Sequence, residues 1–516
     1  MGKSRRRLLV LIVSLIMLFT FVVPAMAADE NYRTVGVTVD GVKLDATAYI
    51  VDGRTVVPLR AIFEKLNAAL LWDSKDRSIT ATRNGVTIWL AIDNTKAQIG
   101  DKATVLDVPP LLIDSKTYVP LRFVSEALGA EVTFDNVKFI ASVKSSKSCS
   151  LQGGQTHSGY ITPGGETWGV CGSPHFVKGA FEVSGADSPV LTIEAGATIR
   201  FEAGAHIYVG SESNGGLVIK GTLDLPVLLT ADSTSPFAGI WGGISFLSHT
   251  IRGEAIIEGT KIEYGTSPIT VGYTDDAVEV TVKDTTITNS SNSGIILLGN
   301  SRLSADSGNL TISGTKVDSD GMGGYPIVTS GRGSGSIPAG TYSGNVFDYI
   351  NVFNPGSVGQ DIITNTTWHN VGVPYRVSLD VYIDSPAYPI LSLEPGVQVY
   401  FGRNVSLSVN QGGIKAEGTT DLPITFSSRD SFAGSWNGIR LSVNAKPAYS
   451  IFTNSLIEYA TFGIAFESDL GPVITNSTFQ HNKAMGIYLP FIEGGSNYVT
   501  TGGNVFNDNP INQNTD

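Results

Sequence analysis

A few acidic residues of this chain have the types and spacing that could do chemistry. Asp318 and Asp320 stand two positions apart beside the glycine-rich segment 321–324, so on an extended strand their side chains share one face and could ligate Ca²⁺. The same spacing also fits a solvated turn. Glu263 follows Lys261 by two positions. An acid and a base so placed could transfer protons in a cleavage reaction, since hydrolases use carboxyl pairs and lyases use a base.

Recurrence argues against catalysis at Glu263. The residue reappears as Glu458 in an Ile-Glu-Tyr motif, and Trp241 likewise reappears as Trp436 before Gly-Ile. An active site normally occurs once, whereas residues that build a repeated fold recur. Trp241 and Trp436 could stack on sugar rings or seal a corner of the fold against its core. We therefore expect no catalytic residue, with Asp318, Asp320 and Glu263, near Lys261 or Arg302, as the candidates for the alternative enzyme.

Two long segments of the chain repeat each other. Residues 167–196 align without a gap on residues 367–396, an offset of 200, and after a short deletion the match resumes at Asp-Leu-Pro and Phe-Ala-Gly motifs. A finer period of 22–26 residues lies inside each half, for example between Phe462 and Met485. Coils of this length stack about 4.8 Å apart and bury a core that one coil could not bury. The pattern predicts a right-handed parallel β-helix of about 15 coils over residues 155–516.

The segments 421–439 and 476–487 resemble bacterial right-handed β-helix proteins of the pectin-lyase-like superfamily. The resemblance covers most of residues 165–510 and implies the fold. It leaves the function open, because that fold carries lyases, hydrolases, adhesins and inert scaffolds.

The first 27 residues have the pattern of a secretion signal. Four basic residues precede an apolar run from Leu8 to Val23, and Ala25-Met-Ala27 forms a small-residue cleavage site. The run is shorter than the roughly 20 residues of a membrane span. Cleavage after Ala27 removes four basic residues and lowers the formal net charge from −12 to −16. We expect a secreted chain without a membrane segment or a nucleic-acid partner.

Residues 28–143 contain a second, smaller duplication. The segment 51–60 reappears at 113–122, each copy ending in Val-Pro-Leu-Arg before a short amphipathic helix, and Asn84-Gly85 between the copies predicts a hairpin. This describes a small α+β domain of antiparallel strands and two helices. Arg60 and Arg122 occupy matching positions at the helix starts. Each could bind an anionic polymer or a peptide carboxylate, or pair with a neighbouring carboxylate.

The doubled pattern is similar to the copper amine oxidase N-terminal-like domain, or stalk domain, of bacterial surface proteins. The resemblance implies a spacer or wall-attachment module and no copper, because none of the six histidines lies in this domain. Residues 144–154 form a polar linker, and Cys149 and Cys171 are expected to form a disulfide. The sequence thus favours a non-catalytic, cell-wall-associated protein without a cofactor, whose β-helix binds polysaccharide or a surface protein.

Overall fold

The computed structural model describes residues 32–513 except 40, 67, 84–85, 101, 115, 146–153, 224, 274–275, 318–322, 354–360, 447–448, 468–469 and 490–497. About 53% of the residues lie in strands and 5% in helices. The chain is therefore mainly β, as the sequence predicts. Within the described residues, no helix is long and apolar enough to cross a membrane.

The N-terminal domain consists of an eight-stranded and a five-stranded sheet with two short α-helices. The helices are α1 (Leu59–Lys65) and α2 (Leu121–Ala127). The strands are Arg33–Val39, Val42–Lys43, Ala48–Val51, Arg54–Pro58, Ala69–Asp73, Ser78–Arg83, Val86–Ala91, Lys96–Ile99, Lys102–Val105, Leu111–Ile113, Lys116–Pro120, Ala130–Asp135 and Ile140–Ser145.

The two copies of the duplicated motif fold alike. In each copy a strand ends at the proline, and the helix begins at the next residue, so Pro58 and Pro120 are the N-cap residues of the two helices. The fixed φ of proline suits both the end of a strand and the start of a helix. The strands Ser78–Arg83 and Val86–Ala91 pair in antiparallel register across residues 84–85, which confirms the hairpin. Pairing within this domain is antiparallel except between Arg33–Val39 and Ile140–Ser145, among the described strands.

Beyond the linker the chain winds into a parallel β-solenoid of about 12 turns that starts near residue 159. Short 3₁₀ helices occupy Val170–Gly172 and Ser334–Ser336. The strands up to residue 352 are Thr156–Tyr160, Glu166–Trp168, His175–Val183, Val190–Glu194, Thr198–Phe201, His206–Val209, Gly215–Lys220, Val227–Ala231, Gly243–Phe246, Thr250–Glu258, Thr260–Glu263, Ile269–Val271, Glu279–Thr288, Ile295–Leu297, Arg302–Leu303, Gly308–Ser313, Ile327–Thr329, Gly340–Thr341 and Ile350–Val352.

The second half continues as three stacks of parallel strands. One stack extends Ile350–Val352 through Tyr375–Val377, Gln398–Phe401, Ile424–Ser428, Ser455–Glu458, Thr478–Gln480 and Val505–Asn507. The second contains Thr366–Trp368, Ile390–Leu393, Gly413–Glu417, Ile451–Thr453, Leu470–Thr475 and Tyr498–Gly502. The third contains Val381–Asp384, Ser406–Gln411, Gly438–Leu441, Phe462–Phe466, Met485–Tyr488 and Ile511–Gln513.

The solenoid has fewer turns than the 15 predicted because several coils are longer than the sequence period suggests. Ile199 pairs with Leu229, 30 residues later, and Leu229 pairs with Ile262, 33 residues later. Ile262 and Ile287, only 25 apart, follow the predicted period. The extra residues lie in turns outside the stacked strands, where insertions cost little core packing.

A single apolar core runs along the inside of the solenoid. Trp168, Trp241, Trp368 and Trp436 are among its largest fully buried side chains. The indole of Trp241 stacks on Phe201 with ring centroids 3.9 Å apart, and that of Trp436 stacks on Phe401 at 4.1 Å. The long repeat in the sequence is therefore also a repeat of core packing.

Candidate ligand-binding cleft

The recurring glutamates Glu263 and Glu458 lie beside the recurring tryptophans. The backbone carbonyl of Glu263 accepts a hydrogen bond from Trp241 Nε1 at 2.8 Å, and that of Glu458 accepts one from Trp436 Nε1 at 2.9 Å. Glu263 also forms an ion pair with Lys261. Arg302, the other basic candidate, binds Glu279 at 2.7 Å instead. The bonds from the tryptophans use the backbone of the two glutamates, so they position the indoles whatever the role of the carboxylates.

The hypothesis that Trp241 and Trp436 stack on sugars is wrong. Both side chains are 0% exposed, and each ring is covered by a phenylalanine on the core side. A ring without accessible surface cannot contact a glycan, so these residues seal the coil against the core. This is the second of the two roles that the sequence allowed.

Several predicted positions lie outside the described residues. They are Ala27 at the signal cleavage site, Cys149, Asp318 and Asp320. Their roles stay predictions. Among the described residues, no group of three or more His, Cys, Asp or Glu side chains could hold a metal ion.

Three arginines converge on the surface of the second half of the solenoid. Arg376, Arg403 and Arg429 line a cavity of about 300 Å³ together with Tyr349 and Tyr400. We call this cavity the arginine cleft. Two of its arginines also lie near aromatic rings outside the lining: the guanidinium of Arg429 is 5.3 Å from the ring of Phe347, and that of Arg403 is 5.3 Å from the ring of Phe432. Guanidinium groups beside aromatic faces match an anionic sugar, which offers both a negative charge and an apolar ring face.

Two of these three arginines lack an acidic partner among the described residues. Arg403 Nε binds Asp430 at 2.6 Å, which neutralises one charge. Arg376 Nη1 donates instead to the hydroxyl of Tyr325 at 2.6 Å, a neutral acceptor. Burial raises the pKa of Tyr325, although the charges of Arg376 and Arg429 oppose the rise. The cleft therefore carries net positive charge in a chain whose formal net charge is −12.

The cleft is assembled from adjacent coils by strand register. Asn351, Arg376, Tyr400 and Ser427 occupy directly paired positions on four successive strands. Ser427 Oγ then donates to Glu458 Oε1 at 2.8 Å. Parallel strands in register place such residues in one row about 4.8 Å apart. Asn351 and Ser427 are buried, so Arg376 and Tyr400 are the members of the row that line the cleft.

The first half of the solenoid lacks this cleft. Phe176 stands where the second half has Arg376, and Arg200 stands where it has Tyr400. On the next strand, Thr230 pairs with Arg200 in the first half, and Ser427 pairs with Tyr400 in the second half. Two positions further along, Asp232 of the first half therefore corresponds to Arg429 of the second. Arg200 Nη1 lies 3.8 Å from Asp232 Oδ1, so the charge of this arginine is partly compensated by a neighbouring carboxylate. The cleft occurs once on a duplicated frame, as expected for a binding site rather than for fold construction.

Sequence reasoning missed the arginine cleft because it compared only the residues that the two halves share. The signal was present in the positions where they differ. A position-by-position comparison places an arginine opposite Phe176 and another opposite Asp232. Convergence of these side chains could be seen only after the coils were stacked.

The structure also brings together two histidines that are distant in sequence. His157 Nε2 lies 3.1 Å from His175 Nδ1, and His157 Nδ1 lies 3.3 Å from Glu166 Oε2. Glu166 Oε2 also accepts from Trp168 Nε1 at 2.7 Å. Burial first, and the neighbouring His175 second, lower the pKa of His157 to about 4. The cluster is a hydrogen-bonded network at the start of the solenoid.

Arg60 and Arg122 differ in their surroundings. Each forms an ion pair with the glutamate one helical turn later, Glu64 at 4.0 Å and Glu126 at 3.8 Å. Arg122 also lines a second cavity, of about 590 Å³, in the N-terminal domain, whereas Arg60 is not among its lining residues. The pairing that the sequence allowed is present in both copies.

Comparison with known proteins matches two family models to this fold. Residues 38–140 match the copper amine oxidase N-terminal domain, and residues 176–277 match the pectate-lyase-like β-helix domain. The chain joins these two domains in that order. The second match lies within the first half of the solenoid, and the solenoid continues beyond it.

A search for related proteins found one similar sequence and no similar solved structure. A protein of Brevibacillus choshinensis described as a protease inhibitor is 26% identical over 108 residues, which is 20% of this chain and 33% of that protein. This chain thus spans about a third of the relative it matches. No solved structure matches the chain.

Proposed function

We propose that this chain is a secreted, non-catalytic surface protein whose solenoid binds an acidic polysaccharide in the arginine cleft. The observation that carries the proposal is the pair Arg376 and Arg429, which lie among aromatic rings and have no acidic partner in the described residues. The pectate-lyase-like match supports a polysaccharide as the ligand. The signal-like residues 1–27 support export, and the pairing of Cys149 with Cys171 in a disulfide belongs to the same proposal.

Charge and geometry favour binding over cleavage. The carboxylate that lines the cleft, Asp430, is held by Arg403 at 2.6 Å. Glycoside hydrolysis needs two carboxyl groups on opposite sides of the scissile bond. The described lining supplies one, and it is already neutralised. In the same proposal the N-terminal domain serves as a spacer between the solenoid and the cell wall.

The test is a binding and cleavage assay on a polysaccharide panel. Pectin, alginate, glycosaminoglycans, xylan and peptidoglycan are each scored for retention of the chain and for new reducing ends or unsaturated products. We expect retention on an acidic polymer, weakened by salt because exposed charges are screened. Arg376→Ala with Arg429→Ala should reduce retention at least tenfold, and Arg200→Ala, at the first-half position that corresponds to Tyr400, should not. Equal loss in both variants would refute the cleft as the site.

A second candidate function is a polysaccharide lyase or hydrolase. The contact between Lys261 and Glu263, inside the segment that matches the pectate-lyase-like domain, favours it. In that case cleavage products should appear in the panel and vanish in Glu263→Gln. Cleavage that depends on Glu263 would replace the binding proposal.

A further inference from the structure

A second cavity lies in the N-terminal domain and shares no lining residue with the arginine cleft. It measures about 590 Å³, within the range of small-ligand and peptide pockets. We call it the N-terminal cavity. Its lining is mainly apolar and includes Phe123, Phe134 and Phe139. Phe134 and Phe139 meet edge to face with centroids 6.0 Å apart, and the guanidinium of Arg33 covers one face of Phe139 at 3.4 Å. An apolar side chain would therefore contact the Phe134 ring and the uncovered part of Phe139.

Charged groups lie at the same cavity. Arg54 and Asp107 both line it and bind each other, with Arg54 Nε 2.7 Å from Asp107 Oδ2. Arg122 lines it too, and its side chain is 61% exposed. Its 3.8 Å separation from Glu126 exceeds hydrogen-bond distance, so the guanidinium can still form a direct bidentate contact with an incoming carboxylate.

The internal duplication of this domain supplies a comparison. Arg60 holds the matching position in the first copy, and the residue after it is Ala61 where the second copy has Phe123. The Arg60 side chain is 83% exposed. Among the residues that line the N-terminal cavity, Arg122 is present and its counterpart Arg60 is not.

We propose that the N-terminal cavity binds the carboxyl end of a peptide whose last residue is apolar. The terminal carboxylate pairs with Arg122, and the last side chain contacts Phe123, Phe134 and Phe139. Strand Ala130–Asp135 is the last strand of its sheet and pairs only with Ile140–Ser145 among the described strands. Its free edge, and the Asp107 carboxylate, can bind peptide N–H groups. A fatty acid has the same charge and apolar body but no N–H, so this polar environment favours a peptide.

The test is equilibrium binding of a fluorescent tripeptide, dansyl-Ala-Ala-Phe, to the exported chain. We expect the free acid to bind and the C-terminal amide to bind at least tenfold more weakly. Arg122→Ala should weaken binding of the acid at least tenfold, whereas Arg60→Ala should change it less than twofold. Phe123→Ala, which copies the first repeat, should also weaken binding. Thermal unfolding of each variant verifies that the domain remains folded.

Three outcomes would overturn the proposal. They are no binding of the acid at millimolar peptide, equal binding of acid and amide, and equal effects of Arg60→Ala and Arg122→Ala. Decanoate is also tested as a competitor of the labelled peptide. If it competes as strongly as the unlabelled peptide does, the cavity is a fatty-acid site and the peptide proposal is overturned. The polysaccharide proposal is independent of all four, because it depends on a different domain.

Discussion

Arg376 and Tyr325, which stand 51 positions apart, are joined by a hydrogen bond of 2.6 Å from Arg376 Nη1 to the tyrosine hydroxyl. The Arg376 guanidinium also lies 5.7 Å from the Tyr325 ring. Tyr325 is 8% exposed, so its position is set by the fold. The tyrosine therefore orients the arginine without neutralising it, which is what an anion-binding arginine requires.

Removing the Tyr325 hydroxyl should weaken ligand binding without unfolding the chain. Tyr325→Phe leaves Arg376 without its fixed acceptor, and we expect about fivefold weaker retention on an acidic polysaccharide, about 1 kcal/mol. Affinity electrophoresis in gels containing the polymer measures the change. Tyr382→Phe is the control, since the Tyr382 hydroxyl donates to Asp380 at 3.2 Å, outside the cleft. Equal weakening by the two variants would argue against the orienting role.

Truncation of the buried tryptophans should destabilise the solenoid. Trp241→Ala and Trp436→Ala each remove a fully buried ring stacked on a phenylalanine, and we expect a loss of about 3–5 kcal/mol in the free energy of unfolding. Urea denaturation followed by fluorescence measures it. Phe237→Ala, at a side chain that is 63% exposed, should cost under about 1 kcal/mol. Wild-type stability in either tryptophan variant would contradict the packing described above.

Stability should fall in mild acid. Burial lowers the pKa of His206 to about 4, and burial together with His175 lowers that of His157 to about 4, from an ordinary value of 6.5. The unfolded chain therefore binds these protons more tightly than the folded chain does. The stabilisation is fully present above about pH 6.5 and is lost as the pH falls towards 4. Each residue contributes on the order of 3 kcal/mol at most.

Melting temperatures measured between pH 8 and pH 4 test this dependence. His206→Gln removes one titrating group, so the melting temperature of this variant should fall less steeply below pH 6.5. His249→Gln replaces an exposed histidine and should leave the curve unchanged. A melting temperature that rises on acidification would have the wrong sign.

Asn482 should be among the most sensitive polar positions of the solenoid. Its side chain is 0% exposed, accepts from the Ala460 N–H at 3.0 Å and donates to Asn509 Oδ1 at 2.9 Å. Asn482→Ala leaves these groups unsatisfied, and we expect a loss of about 2–4 kcal/mol. Asn214→Ala, at an exposed position, is the matched control. Chemical denaturation of both variants decides whether the Asn482 side chain holds adjacent turns together.

Much of the fold was predictable because its units repeat. The shared residues of the two halves, and the matched Val-Pro-Leu-Arg motifs, indicated a solenoid after a small duplicated domain. The number of turns was overestimated, since turns such as the one between Leu229 and Ile262 lengthen the coil without adding strands. Handedness, export and the disulfide stay predictions.

The candidate sites were less predictable. Glu263 and the tryptophans were conspicuous in sequence because they recur, and recurrence marked them as structural. Arg376 and Arg429 do not recur, so the comparison of shared residues passed over them. Arg60 and Arg122 appeared equivalent, yet only Arg122 lines a cavity.

The sequence by itself determined which side chains point inward, because alternation along a strand and a repeated coil length fix the buried face of each strand. The two duplications in the sequence also determined the order of the two domains and the mainly β fold. Only the tertiary structure decided which outward side chains meet. Turn length and strand register set how coils align, and these bring Arg376, Arg403 and Arg429 together from positions up to 53 residues apart. No local pattern encodes that alignment, so the cleft exists only in the stacked solenoid.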